Sequence, residues 1–377
     1  MRTCNLTAVF CLLAILMSSQ ATRGGTVRAW GSGPVVSNAP VALGGIVAIS
    51  GGGEHALALL DNGTVVAWGN NAYRQTEVPE GLTNVIAIAA GGQHNLALKN
   101  DGTVVAWGRN SFLQSAVPAD LTNVVSISAG GNHSVALRAD GTVVNWGGYW
   151  DEATSHLPKP MPGSFTNIAR IASGLEHDLL LRTNGTIVLW GLNHHGQLDV
   201  PGELADIAKI FAGGDQNFVL NSQGQVQSWG WDNFGQVTLP PNLGLVTAFA
   251  AGYEHTAVLR PDQTVFCWGH GIAGQTTIPP DLPPVLSLAA GQNYTLALTT
   301  APPPHSFLLI SNPQFTNGQF SVTVATSLSK SYQLEFATNA DSTNWQSLPA
   351  IPGTGGEMAL TDPDAASAQR FYRVREL

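Results

Sequence analysis

Charged side chains are scarce in this chain: Asp, Glu, Lys and Arg make up 11% of 377 residues. That scarcity argues against a helical protein, whose exposed faces usually carry more charge. The charge present is acidic, net −9, and scattered along the chain as ordinary solvation. Nucleic acid is thereby excluded as the main partner, since phosphate binding needs a basic surface. Cysteine is scarcer still. Cys4 and Cys11 fall at the N-terminus, and Cys267 stands alone in the rest of the chain. One cysteine makes no internal disulfide, so stability has to come from core packing. Cys267 precedes Trp268 inside a strand pattern and reads as a buried, inert thiol.

Membrane-spanning runs are lacking as well. The apolar stretch Leu6 to Met17 is 12 residues long, short of the ~20 that a spanning helix needs. With Arg2 ahead of it and Ser19-Gln20-Ala21 behind, it reads as a signal peptide over residues 1–21. The expectation is export (secreted, periplasmic or cell-surface), with no transmembrane segment in the mature chain.

Glycine (42 residues) and proline (22) are plentiful, which suits many short strands joined by tight turns. A repeat dominates the chain. Trp-Gly pairs begin at Trp30, Trp68, Trp107, Trp146, Trp190, Trp229 and Trp268, in steps of 38, 39, 39, 44, 39 and 39 residues. Thirteen residues before each of the last six tryptophans lie His55, His94, His133, His177, Gln216 and His255, and Tyr294 follows in the same context. In the unit Val124 to Pro162, Val135 and Leu137 alternate with Ser134, Ala136 and Arg138, the period of a half-buried strand. Asp140-Gly141 marks a tight hairpin, because glycine reaches positive φ without steric cost. The unit therefore reads as three strands and a loop.

The first Trp-Gly pair has no histidine segment before it, and the last histidine-type segment, Ala289 to Leu298, has no Trp-Gly after it. Thr26 to Trp30 thus reads as the third strand of the sheet begun near Leu286. The expected fold is all-β: a seven-bladed β-propeller over residues 24–300, its last blade completed by both ends, with no open sheet edge. Ala301-Pro302-Pro303-Pro304 opens a stiff linker over 301–305. Alternation at Phe320, Val322 and Val324, and at Tyr332, Leu334 and Phe336, predicts a small β-sandwich over 306–377. Its Tyr-x-Leu-Glu, Asn-Trp and Arg-Phe-Tyr-Arg-Val elements resemble an accessory domain of exported bacterial proteins, for attachment or spacing.

Gly-Gly-x-His-x-x-Ala-Leu, Asp-Gly-Thr-Val and Trp-Gly-x-Asn-x-x-Gly-Gln together resemble the RCC1 repeat (regulator of chromosome condensation). Asn193-His194-His195-Gly196-Gln197 and Asp232-Asn233-Phe234-Gly235-Gln236 carry the loop signature best. The short unit is similar to the compact bacterial type, which includes the exported β-lactamase-inhibitory protein II. The fourth unit departs from the pattern at Gly148 to Ala153, and Pro261-Asp262-Gln263-Thr264 lacks the turn glycine, so Gln263 is strained or its turn differs.

Histidines at one repeat position sit in equivalent places around a ring, whereas catalysis needs groups converging within ~3 Å. They are expected to hydrogen-bond backbone groups between strands or blades, and the repeated tryptophans to pack between blades. No phosphate loop, nucleophile elbow or His-Glu-x-x-His is present, and the adjacent His194-His195 has no metal-binding spacing. The reading is no enzyme, no cofactor and no metal. Positions that differ between units are better candidates, because a rigid ring presents variable loops on one face. Tyr73, Phe112, His195 and Phe234 lie five residues after their Trp, and Tyr149, Trp150 and Trp231 break the pattern nearby. Together they are the candidate partner-binding residues, as aromatic anchors of a protein interface, although an aromatic at the first of these positions also packs locally in RCC1-like loops.

The expected function is an exported, monomeric protein-interaction module binding a protein across one propeller face. The resemblance implies inhibition of an extracellular or periplasmic enzyme as one option. A carbohydrate-binding or cell-surface adhesion module is the alternative. Guanine-nucleotide exchange, the activity the resemblance attaches to RCC1 itself, and a propeller lyase or hydrolase rank lower.

Overall fold

The computed structural model describes residues 25–40, 43–148, 165–300, 310–316, 319–326, 331–337, 345–354, 356–365 and 370–376. The chain divides into two compact units, with the boundary after Ala301. The expected signal peptide (1–21) and linker (301–305), and the candidates Tyr149 and Trp150, lie outside the described residues.

The first unit opens with β1 (Thr26–Gly31) and a single helical turn, α1 (Pro34–Ser37). Six three-stranded antiparallel sheets follow in chain order. They are β2 (Ile46–Gly51), β3 (His55–Leu60) and β4 (Val65–Gly69); β5 (Val85–Ala90), β6 (His94–Lys99) and β7 (Val104–Gly108); and β8 (Val124–Ala129), β9 (His133–Arg138) and β10 (Val143–Gly147). Next come β11 (Ile168–Ser173), β12 (His177–Arg182) and β13 (Ile187–Gly191); β14 (Ile207–Gly213), β15 (Gln216–Asn221) and β16 (Val226–Gly230); and β17 (Ala248–Ala251), β18 (His255–Leu259) and β19 (Val265–Gly269). A seventh is made of β20 (Val285–Ala290), β21 (Tyr294–Thr299) and β1, with Thr26 opposite Thr299 and Gly31 opposite Tyr294.

First strands touch first strands in the order β2, β5, β8, β11, β14, β17, β20, and β20 touches β2. At one equivalent position they bring Gly51, Ala90, Ala129, Ser173, Ala212, Ala251 and Ala290 to one cavity. Small side chains are what this position requires, because neighbouring strands crowd together there.

The middle strand differs from its sequence pattern. In β9, His133 to Leu137 are all buried, Ser134 and Ala136 included, and β3, β6, β12 and β15 repeat this. Alternation predicted a half-buried strand, but both faces pack against neighbouring sheets. Small residues such as Ala58, Ala97 and Ala136 fill the second face beside Leu57, Leu96 and Val135. Trp30, Trp68, Trp107, Trp146 and Trp229 are buried, while Trp190 and Trp268 are partly so.

The hairpin between middle and third strands is held by its first residue. Asp140 Oδ1 accepts from Thr142 N at 2.9 Å and from Thr142 Oγ1 at 2.6 Å, and Asp262 holds Thr264 in the same way at 3.0 and 2.6 Å. Gly141 takes φ +80° between them, and Gln263, without the glycine, still takes φ +67°. The aspartate side chain therefore imposes the turn, and Gln263 bears the Cβ penalty of the left-handed region.

The second unit contains β22 (Ile310–Thr316), β23 (Gln319–Ala325), β24 (Ser331–Ala337), β25 (Gln346–Ser347), β26 (Ile351–Pro352), β27 (Glu357–Asp362) and β28 (Phe371–Glu376). Sheet β22-β23-β27 and the sheet around β24 share one buried cluster of Val322, Val324, Tyr332, Leu334 and Leu360. Asp362, 1% exposed, accepts from Tyr372 Oη at 2.8 Å and pairs with Arg370.

Candidate functional site

A buried belt of hydrogen bonds links the sheets at the start of each middle strand. His55 Nε2 lies 2.7 Å from Asn95 Oδ1, and Asn95 Nδ2 donates to the Gln75 carbonyl at 2.8 Å. The same relay runs from His94 through Ser134 to the Gln114 carbonyl, from His177 through Asn217 to that of Gln197, and from His255 through Thr295 to that of Gln275. Asn95 and Asn217 offer a carbonyl oxygen to the ring, and Ser134 and Thr295 spend their own proton on the next carbonyl. The histidine therefore donates from Nε2 in each case.

The sequence led us to expect histidine bonds to backbone. The imidazole instead stops at a side chain of the next sheet, and only the longer Gln216 and Tyr294 reach backbone, at the carbonyls of Gly252 and Gly52. His133 meets a carboxylate, Asp178 Oδ1 at 3.0 Å, with both side chains 1% exposed. Burial lowers the pKa of His55 to about 4, of His94 to about 3 and of His255 to about 4, because a desolvated imidazolium is disfavoured. These rings are neutral and out of contact with solvent, which suits a structural role. Burial likewise pushes the partly buried Cys267 thiol up to about 12.

One residue before each belt position the chain turns outward, giving Glu54, Gln93, Asn132, Glu176, Asp215, Glu254 and Asn293. Each backbone carbonyl there accepts from the N–H of the residue after Trp-Gly: Asn70, Arg109, Gly148, Leu192, Trp231, His270 and Ser32, at 2.8–3.0 Å. Two variable side chains are thus set side by side in each sheet except the third, where Gly148 has none. Asn70 donates to Glu54 at 2.8 Å, Arg109 to Gln93 at 2.6 Å, and His270 Nδ1 lies 2.8 Å from Glu254.

The loop beyond is held by the buried glutamine of the Gly-Gln signature. Gln75, Gln114, Gln197 and Gln236 accept at Oε1 from the backbone N–H of Tyr73, Phe112, His195 and Phe234, at 2.8–2.9 Å. Those four are the sequence candidates five residues after Trp, so the aromatic loop is fixed from beneath.

Two arcs result. In one, the Arg109 guanidinium lies 4.9 Å from the Tyr73 ring centroid and 5.0 Å from that of Phe112. In the other, His195 stacks on Trp231 at 5.2 Å, Trp231 meets Phe234 edge-on at 5.8 Å, and Phe234 stacks on His270 at 4.3 Å. His195 also lies 3.6 Å from Asp215. The structure therefore joins Tyr73 to Phe112, and His195 to Trp231 and Phe234. Sequence reasoning missed Arg109 and His270. The available signal was that the position two after Trp is a different residue type in all seven units, and Trp231 itself occupies it. Among the described residues no group of three His, Cys, Asp or Glu side chains is arranged to hold a metal, and no helix is long and apolar enough to cross a membrane.

Three-stranded antiparallel sheets in cyclic contact, each begun by a channel-lining strand, define a β-propeller. Four of its segments, residues 46–75, 85–114, 124–148 and 246–275, match the family model for the Regulator of chromosome condensation (RCC1) repeat. Prp20p from Saccharomyces cerevisiae shares the fold at 20% identity, covering 75% of this chain and 93% of its own, with a TM-score of 0.62. The ectodomain of the Physcomitrella patens receptor kinase CR4 does so at 23% identity, covering 72% and 80%, with a TM-score of 0.56. For human WBSCR16 the values are 19%, 68%, 87% and 0.55. At such identities the likeness establishes the fold alone. No curated protein matches the chain.

Proposed function

We propose that the chain is a non-enzymatic protein-interaction module: a closed seven-bladed RCC1-type propeller that docks a protein on the face carrying its Trp-Gly loops. The carrying observation is that variable side chains are concentrated on this face, on a backbone fixed by the recurring belt below. Five of the seven candidate aromatic-face residues stand in the two arcs, where Tyr73 and Phe234 are each 42% exposed. Rigid aromatics of this kind lose little entropy on docking and serve as interface anchors. Among proteins of this fold, Prp20p is one whose binding properties to Gsp1p and histones are described. For the present chain, the signal-like N-terminus points to an exported partner, and inhibition of an extracellular or periplasmic enzyme is the specific form we propose. The second unit, read as a small sandwich, serves attachment.

Glycan binding is the competing reading. Sugar stacking needs an open aromatic face, but the Trp231 ring is stacked by His195 and met edge-on by Phe234, which favours protein. Affinity capture from the native extracellular and envelope fraction tests this, with wild-type bait against a bait carrying alanine at Tyr73, Phe112, Trp231 and Phe234. A protein held by the first bait and lost by the second, with unchanged circular dichroism, is the expected result. Equal capture by both overturns the face assignment, and retention on insoluble glycan without any captured protein overturns protein binding.

A further inference from the structure

At the mouth of the channel, on the Trp-Gly loop face, the sheets leave a cavity of about 340 Å³. Its origin is local. The residue after the channel-lining glycine is Gly53, Gly92 and Gly131 in three successive sheets, then Leu175, Gly214, Tyr253 and Gln292 round the rest of the ring. Where the side chain is missing, the space stays open, and it is walled by Gln93, Asn132, Arg109, Glu54 and Tyr253.

The hydrogen-bond bookkeeping of that wall is one-sided. Gln93 Oε1 is taken by Arg109 Nη1 at 2.6 Å, which fixes the amide so that its NH2 group is the free end. Asn132 Oδ1 is taken by Gln114 Nε2 at 3.4 Å, leaving the Asn132 NH2 group as the free end. Arg109 is itself immobilised between the Tyr73 and Phe112 rings, with Nε donating to Ser111 Oγ at 3.3 Å. A guanidinium, which has no acceptor, and two amides whose oxygens are already engaged offer a group of donors on this part of the wall. Arg109 is the one cation among the described residues lining the cavity. Such a wall recognises a group that accepts hydrogen bonds and carries negative charge. Across from it stand the Glu54 carboxylate, held at 2.8 Å by Asn70, and Tyr253, whose phenol is raised to about 12 by burial and by the charge of Glu54. A carboxylate there takes N–H donors.

We propose that this cavity is a binding site for a peptide carboxylate, with the carboxylate on Arg109, Gln93 and Asn132 and neighbouring peptide N–H groups toward Glu54. A peptide supplies both an acceptor and donors, whereas an isolated anion would leave Glu54 unmatched and repelling. The acids Glu176, Asp215 and Glu254 on the other side of the ring deter a carboxylate there, so the face offers it one seat. This goes beyond the aromatic docking surface, with which it shares Arg109, because it assigns a ligand group to Gln93, Asn132 and Glu54, which lie outside the two arcs.

The test uses the full chain and three capped probes: N-acetyl-Ala-Glu-Ala-amide, N-acetyl-Ala-Ala-Ala with a free C-terminal carboxylate, and N-acetyl-Ala-Gln-Ala-amide. The readout is NMR of the Arg109 Nε–H and of the Gln93 and Asn132 side-chain amides. At least one carboxylate probe is expected to move all three signals saturably, while the glutamine probe moves none. Which carboxylate probe binds separates a side-chain from a C-terminal source. Arg109→Lys keeps the charge but not the fork and should weaken binding by about tenfold. Asn132→Asp turns a donor into a charge of the wrong sign and should abolish binding without touching Arg109. Equal shifts from the glutamine probe, no shift from either carboxylate probe, or undiminished binding by a folded Asn132→Asp variant would overturn the assignment. Each of these results leaves partner capture through the aromatic arcs unaffected, so the two readings fail separately.

Discussion

His94 and Gln93 are neighbours in the chain, yet they belong to regions governed by different rules. His94 is fully buried in the belt, and every belt position is filled by a group that reaches the next sheet. Gln93 faces the rim, where the equivalent residues are acid in some sheets and amide in others. The belt holds seven sheets together with buried hydrogen bonds and draws on a few residue types that can reach the next sheet. The rim inherits its geometry from the belt and is free to vary chemically. A repeat protein can thus change what it binds without changing how it folds.

One added methyl group should be enough to break the belt. A Cβ at Gly130 would enter the His133 ring and stand 2.6 Å from the Gly174 carbonyl oxygen. Neither neighbour can retreat, so Gly130→Ala should cost about 3 kcal/mol. Urea unfolding followed by tryptophan fluorescence checks this, and a loss below about 1 kcal/mol would show that the sheets yield more than belt packing allows.

Acid should loosen the belt next. His55, His94 and His255 have folded pKa values held below the ordinary 6.5, at about 4, 3 and 4. Between pH 6.5 and about 4 the unfolded chain binds protons that the folded chain refuses. Their contribution is therefore complete above pH 6.5 and is lost as pH falls through that window, at about 1.4 kcal/mol per pH unit for each histidine. Residues 306–377 contain no histidine. The urea midpoint of the repeat unit should fall from pH 6.5 to 4 while the Trp345 environment of the second unit stays flat. A repeat-unit midpoint independent of pH would contradict the neutral belt.

The smallest of the three effects lies where belt and rim join. Gln197→Leu removes the acceptor of the His195 N–H and the donor to Asp215 at 3.2 Å. Leaving those groups unmatched should cost about 1–3 kcal/mol. Exchange of the His195 amide with solvent should accelerate more than that of the Phe218 amide in β15. Equal acceleration would mean that the whole sheet, rather than the loop, depends on Gln197.

Much of this was legible in the residues. Repeat spacing located all seven tryptophans and the belt positions, because the same local turn chemistry recurs in each unit: an aspartate or asparagine that caps its own hairpin, and a glycine wherever a histidine ring must fit. The candidate aromatics were found because they interrupt that regularity. Three things were not legible. Alternation in β9 suggested one wet face, since a sequence does not say that a neighbouring sheet will cover the second. The histidine partners Asn95, Ser134 and Asp178 lie 40 or 45 residues away, a distance across which no local pattern operates. Arg109 and His270 looked like ordinary surface residues because their meaning depends on which rings flank them.

The sequence by itself determined the strand period, the turn residues and the positions that must be small, because these follow from backbone sterics within a few residues. Only the tertiary structure decided which side chains share a wall. Gln93 and Asn132 became donors because Arg109 and Gln114 occupy their oxygens, and these partners, 16 and 18 residues away in the chain, are brought together by strand pairing and packing and not by local order in the chain.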